Sequence, residues 1–190
     1  TYGDWSSDVC SSDLTFRLHS EICRFISSAI YEGRLVNDPG TNNQRVETTR
    51  GLIARQAGIA FIPVEHEGNA QGSEEEAVVI KQIVAELIGR PVWDSGNSQS
   101  RPLTMADILF VAPFNMQVRL LSKHLGPNAR IGSVDKFQGQ EAQVVIVSMC
   151  SSTLEDSPRG ADFLLDSNRL NVAVSRAKSL AVVVGSPNRS

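Results

Sequence analysis

Five strand-like runs, at 59–64, 108–112, 129–134, 144–148 and 180–184, most of them continuously apolar and rich in β-branched residues, constrain this chain more than any other feature. They lack the polar–apolar alternation of a sheet with one wet face, so they describe strands buried on both faces, as in parallel sheets. Helical stretches separate them. Behind Ser20 as N-cap and ahead of Gly33, Ile22, Phe25, Ile26, Ala29 and Ile30 share one helical face. Ser73 with Glu76 reads as a capping box for a helix through Ile88 that buries Ala77, Ile80, Val84 and Leu87, which gives Glu76 a purely structural part. A third helix buries Val118, Leu121 and Leu125 and halts at Gly126-Pro127. The alternation predicts an α/β fold, a mostly parallel sheet with helices on both faces. Asn37 to Arg50 and Pro91 to Pro102 are polar and rich in Gly, Pro and Asn, and read as surface loops, the second anchored by Trp93.

Composition removes several function classes. No apolar run approaches the roughly 20 residues that span a bilayer, and no secretory signal is visible, so no membrane partner is expected. The three cysteines, Cys10, Cys23 and Cys150, are odd in number and lack CxxC spacing. That argues against a metal site or a disulfide framework and suits a cytoplasmic location. Charge is uneven: residues 1–100 carry 8 Lys and Arg against 14 Asp and Glu, residues 101–190 carry 10 against 7. The basic half invites an anionic ligand. Residues 1–13, TYGDWSSDVCSSD, have no periodicity and read as a non-native or disordered tail, leaving 14–190 as one domain.

Chemistry concentrates in two stretches of the basic half. The first, Ile131 to Met149, reads IGSVDKFQGQEAQVVIVSM: a strand, a polar turn holding Gly139 and Glu141, and a second strand. A polar turn at the end of a buried strand is where α/β proteins place ligands, but spacing alone favours the plainer reading, in which Gly139 serves turn geometry and Glu141 is merely solvated. The second stretch, residues 169–178, reads RLNVAVSRAK, a helix over Asn171 to Lys178 leading into the last strand.

VDKFQGQE followed by RLNVAVSRAK resembles motifs V and VI of superfamily 1 helicases, in the branch that contains the nonsense-mediated-decay RNA helicase and the Okazaki-fragment nuclease–helicase. TFRLHSEICRFISSAIYEGRL, residues 15–35, is similar to the segment joining the two motor domains of that branch, with Phe16 where Tyr is usual and Ser20 where Pro is usual. Pro113-Phe114 with Gln117 resembles motif IV. PVEHEGN, PRG and SVDKFQGQE are similar to the helicase part of bacterial RecB-like nuclease–helicase fusions.

The resemblance implies a RecA-like, P-loop-NTPase-type three-layer sandwich, the second (C-terminal) motor domain of an ATP-dependent DNA or RNA helicase. Phe16 would stack on adenine, Arg17 would contact the γ-phosphate, and Arg176 would be the arginine finger. Glu141 would face ribose and phosphates, and Gly139 would allow close backbone approach there. Ser133 would contact the nucleic-acid backbone, with Asn115 and Lys136 as further contacts, whereas Arg169 and Asn171 would tie the motif VI helix. The implied cofactor is ATP with Mg²⁺, bound jointly with an N-terminal motor domain. The implied partners are single-stranded DNA or RNA, that first domain, and a RecB-like nuclease domain.

The sequence contains no GxxxxGK[ST] phosphate loop and no strand ending in paired acids ahead of the motifs, so the chain alone is expected to be inactive. A Rossmann oxidoreductase would need G-x-G-x-x-G after a strand, which is absent. A non-catalytic nucleotide- or nucleic-acid-binding module on the same fold stays open.

Overall fold

In a computed structural model, residues 14–48, 51–152 and 167–187 are described, without the side chains of 167 and 168. Residues 1–13, Cys10 among them, lie outside the described residues. In chain order the elements are β1 (Leu14–Thr15), α1 (Ser20–Ile30), β2 (Val36–Asn37), β3 (Arg45–Val46), β4 (Gly58–Pro63), α2 (Glu74–Leu87), β5 (Pro91–Trp93), β6 (Arg101–Pro102), β7 (Ile108–Val111), α3 (Asn115–Leu125), β8 (Arg130–Gly132), β9 (Ala142–Ser148), α4 (Ser167–Val174) and β10 (Ala177–Gly185).

The five apolar runs form one sheet in the order β4-β10-β9-β7-β8, parallel throughout. Side chains alternate across a strand, and β9 shows the result. Val144 and Ile146 pack with Ile80, Ile83, Leu87 and Leu121 from α2 and α3. Val145 and Val147 pack with Ile22, Ile26, Ala173 and Val174 from α1 and α4. Helices therefore cover both faces, and the architecture is the three-layer α/β sandwich of RecA-like domains. Full burial of an Ile or Leu stabilises by about 1.5–3 kcal/mol relative to exposure, so this central strand carries much of the fold's driving force.

Several local readings change. The cap of α1 is His19, whose Nδ1 accepts from the Glu21 N–H at 3.2 Å, rather than Ser20, the first residue of the helix. The buried stripe of α1 is Ile22, Cys23, Ile26 and Ser27, while Phe25 and Ile30 are exposed. The stripe is turned because the chain returns past that side of the helix, where the Cys23 thiol meets the Leu35 carbonyl at 3.7 Å. The two surface loops hold a small antiparallel sheet, β3-β5-β6, in which Val46 and Val92 are fully buried and Arg45 lies 4.1 Å above the Trp93 ring. Strands of two or three residues are too short for a period of two to be read.

The motif VI helix ends at Val174, not Lys178, and β10 begins at Ala177. The sheet claims these residues: Ala177 pairs with Ala142, and the Ala142 N–H donates to the Arg176 carbonyl at 3.0 Å. Half of the Ser73 capping box is present, since Ser73 Oγ accepts from the Glu76 N–H at 3.1 Å. The Glu76 carboxylate does not return to Ser73, whose N–H instead donates to Gln117 Oε1.

Candidate functional site

Parallel strands put all their C-terminal ends on one edge of the sheet and all their N-terminal ends on the other, so the motif residues fall into two groups. At the N-terminal edge Glu141 directly precedes β9, and Arg176 and Lys178 flank the start of β10. The segment carrying Phe16 and Arg17 is tied to the same edge. The His19 N–H donates to the Lys178 carbonyl at 2.9 Å, Gln44 Nε2 donates to the Arg17 carbonyl at 2.8 Å, and Leu18 sits in the core at 1% exposure.

Both oxygens of Glu141 face cations: Oε1 is 2.7 Å from Lys178 Nζ, and Oε2 is 3.7 Å from Arg17 Nε. Arg176 is half-buried, and its Nε has no hydrogen-bond partner; nor has Arg17 Nε. Burial, and then the positive charge of Arg17, hold the Arg176 guanidinium below its ordinary pKa. Two guanidiniums that repel each other, each with an unsatisfied buried nitrogen, form a place where an anion relieves both the repulsion and the missing bonds. Phe16 presents an unpartnered ring face at 68% exposure. Gly139 has φ +78°, and a Cβ there would meet open space, so the turn's left-handed conformation is what calls for glycine among the described residues.

At the C-terminal edge lies Ser133, just beyond β8, in an apolar cleft of about 50 Å³ with Val111, Pro113, Val147, Met149 and Leu170. Asn115 is exposed as the first residue of α3, at the end of β7. Lys136 is exposed too, but its Nζ donates to the Ile131 carbonyl at 2.7 Å and lies 5.8 Å from the Phe137 ring, so its charge is already engaged. Arg169 reaches Asp135 at 3.7 Å and links α4 to the motif V turn; Asn171 is buried. Among the described residues no group of three His, Cys, Asp or Glu could hold a metal ion, and no helix is long and apolar enough to cross a membrane.

Sequence reasoning missed Lys178 as the partner of Glu141, although RLNVAVSRAK contains it. It also missed a buried polar cluster. Glu76, at 0% exposure, takes His66 Nε2 at 2.9 Å, Ser148 Oγ at 2.6 Å and the Cys150 N–H at 3.0 Å. His66 Nδ1 meets Ser152 Oγ at 2.8 Å, and Gln117 Nε2 donates to Ser148 Oγ at 2.8 Å. The capping box hid this, because a Glu at the third helical position already has a local explanation.

Comparisons with known proteins give the family. The family described as AAA domain (AAA_12) matches residues 6–188. A protein of Caenorhabditis elegans named uncharacterized ATP-dependent helicase C05C10.2 is 30% identical over 181 residues, covering 93% of this chain and 11% of that protein. The rat DNA-binding protein SMUBP-2 is 29% identical over 89% of this chain and 17% of its own length. The Drosophila melanogaster regulator of nonsense transcripts 1 homolog is 27% identical over 92% of this chain and 15% of its own. The chain thus spans about a sixth or less of the length of these relatives. With nearly every residue inside the family match, and the quoted motifs seated at the two edges of a RecA-like sheet, the chain belongs to the AAA_12 family of AAA domains, in the company of superfamily 1 helicases.

Proposed function

We propose that this chain is the C-terminal motor domain of an ATP-dependent superfamily 1 helicase, supplying an arginine finger and part of the nucleic-acid track. The observation that carries the proposal is the pairing of Arg17 with Arg176, half-buried, short of hydrogen-bond partners and beside Glu141 at one sheet edge. Phosphoryl transfer proceeds through a transition state with charge spread over the γ-phosphoryl oxygens, and a guanidinium aimed at that charge lowers the barrier. Arg176 is the finger and Arg17 the ground-state γ-phosphate contact. Phe16 offers its open face to adenine, and Glu141 takes the sugar-proximal side.

Mg²⁺ would arrive with the nucleotide and neutralise phosphate charge; the residues described here fit a metal-free half of such a site, with an N-terminal motor domain of the same protein holding the ion and the phosphate loop. Ser133 and Asn115, at the opposite edge, form the track for single-stranded DNA or RNA, with Lys136 joining them once its Nζ leaves the Ile131 carbonyl. A RecB-like nuclease domain upstream and a cytoplasmic location complete the proposal.

The full-length protein tests it. ATP hydrolysis should rise when single-stranded DNA or RNA is added, and a tailed duplex should be unwound. Nucleotide binding without hydrolysis under any nucleic acid would favour a non-catalytic module on this fold and overturn the helicase reading.

A further inference from the structure

A cavity of about 170 Å³ opens at the nucleotide edge, lined by Phe16, Arg17, Glu141 and Lys178 together with Asp94 and Ser95. The last two belong to no motif. They come from the hairpin between β5 and β6, which the sequence presents as a plain loop.

Asp94 is held in place from two sides. Its Oδ2 accepts from Arg101 Nε at 3.0 Å, and its Oδ1 accepts from Gln143 Nε2. Gln143 is buried at 4% exposure, and its Oε1 accepts from Ser179 Oγ at 2.7 Å, so a buried chain from β9 and β10 fixes the carboxylate. Arg101 is clamped in turn by Asp107, at 2.9 and 2.8 Å. Each carboxylate oxygen accepts two hydrogen bonds, so each Asp94 oxygen keeps a free acceptor position. Pairing with Arg101 also offsets the negative charge that would otherwise repel a polyphosphate.

The cavity requires a ligand portion that donates hydrogen bonds and is small. A volume of about 170 Å³ has room for a group the size of a single sugar ring. Phe16 offers a surface for a base, and Arg17 with Arg176 offers one for phosphates; a sugar is what joins the two. We infer that Asp94 and Ser95 read the sugar of the bound nucleotide, Asp94 accepting the ribose 2′-hydroxyl and Ser95 Oγ adding a second contact, so that the β5–β6 hairpin sets the preference for ribonucleotides. This rests on the nucleotide reading proposed above. A carboxylate positioned on a ribose hydroxyl is a general means of sugar discrimination, because the deoxy analogue leaves the acceptor unpaired.

The test compares ATP with 2′-deoxy-ATP as substrates of the full-length protein. One charged hydrogen bond corresponds to a preference of about tenfold in KM. Asp94→Ala should raise the KM for ATP toward that for 2′-deoxy-ATP while leaving the latter, and kcat, unchanged, because the sugar is held alike in ground and transition states. A rise common to both nucleotides would mean that Asp94 only shapes the hairpin, and it overturns the inference. Ser95→Ala removes one exposed hydroxyl, so it decides the matter even where Asp94→Ala fails to fold. It should narrow the ratio by about threefold, a fraction of a charged hydrogen bond; an unchanged ratio overturns the contact. A wild-type protein that hydrolyses both nucleotides equally well overturns this inference alone, whereas one that binds no ATP overturns the motor-domain reading with it.

Discussion

Lys178 Nζ lies 2.7 Å from Glu141 Oε1, joining the residue just ahead of β9 to the second residue of β10. This pair has an electrostatic consequence for Arg17, whose Nε faces the other oxygen of the same carboxylate at 3.7 Å. While Lys178 holds Glu141, Arg17 is only loosely engaged and remains available to an anion. Lys178→Met should let Glu141 close on Arg17 and withdraw it. The expected result in the full-length protein is a fall of about tenfold in kcat/KM for ATP, on the scale of one charged hydrogen bond. Lys178→Arg should retain the rate. Because the pair is partly exposed, the Met variant should lose no more than about 1 kcal/mol of stability. Equal rates in the Met and Arg variants would show that the pair has no bearing on turnover.

The positive charge of Arg17 acts on Arg176, and that repulsion separates function from stability. Arg176→Ala removes a half-buried charge with an unpartnered Nε, so the thermal midpoint should not fall. Its kcat should drop by at least about 10³, the magnitude of a finger arginine, with ATP affinity little changed. Arg176→Lys should be nearly as poor, since an ammonium cannot form the two parallel bonds of a guanidinium fork. A Lys variant with wild-type turnover would move the finger role to Arg17.

The same repulsion predicts an anion effect measurable on the 190-residue chain itself. Pyrophosphate or sulfate should raise its melting temperature by binding between the guanidiniums, since a ligand that binds only the folded state stabilises by mass action. Arg176→Ala should abolish the rise, and so should Arg17→Ala. The chain alone should not hydrolyse ATP, because it contains no phosphate loop. Phosphate release that tracks the purified chain would contradict that expectation.

Glu76 tests the buried cluster. Glu76→Ala strips acceptors from His66, Ser148 and the Cys150 N–H in a site closed to water. Urea denaturation should show a loss of about 3–5 kcal/mol, because several buried donors are left without their acceptor at about 1–3 kcal/mol each. Glu74→Ala, one residue before Glu75 and with its side chain half exposed against His124, should change stability by no more than about 0.5 kcal/mol. Similar losses in the two variants would remove the cluster's claim to hold the strand ends together.

What the sequence determined by itself is the sheet and its ends. Apolar β-branched runs such as 144–148 and 180–184 can satisfy their pattern only when both faces are covered, and parallel connection then sorts Glu141 and Ser133 to opposite edges. Those properties follow from near neighbours in the chain. The tertiary structure decided which groups meet. His19 replaced Ser20 as a cap because an imidazole nitrogen happened to reach an amide. Arg176 left its helix because the Ala142 amide needed a carbonyl. Lys178 and Glu141 met across neighbouring strands, and Asp94 reached the edge that holds Glu141 through Gln143, 49 residues away in sequence. Each of these rests on the hydrogen-bonding and charge requirements of groups distant in sequence, and burial makes those requirements strict only after the sheet has brought the groups together.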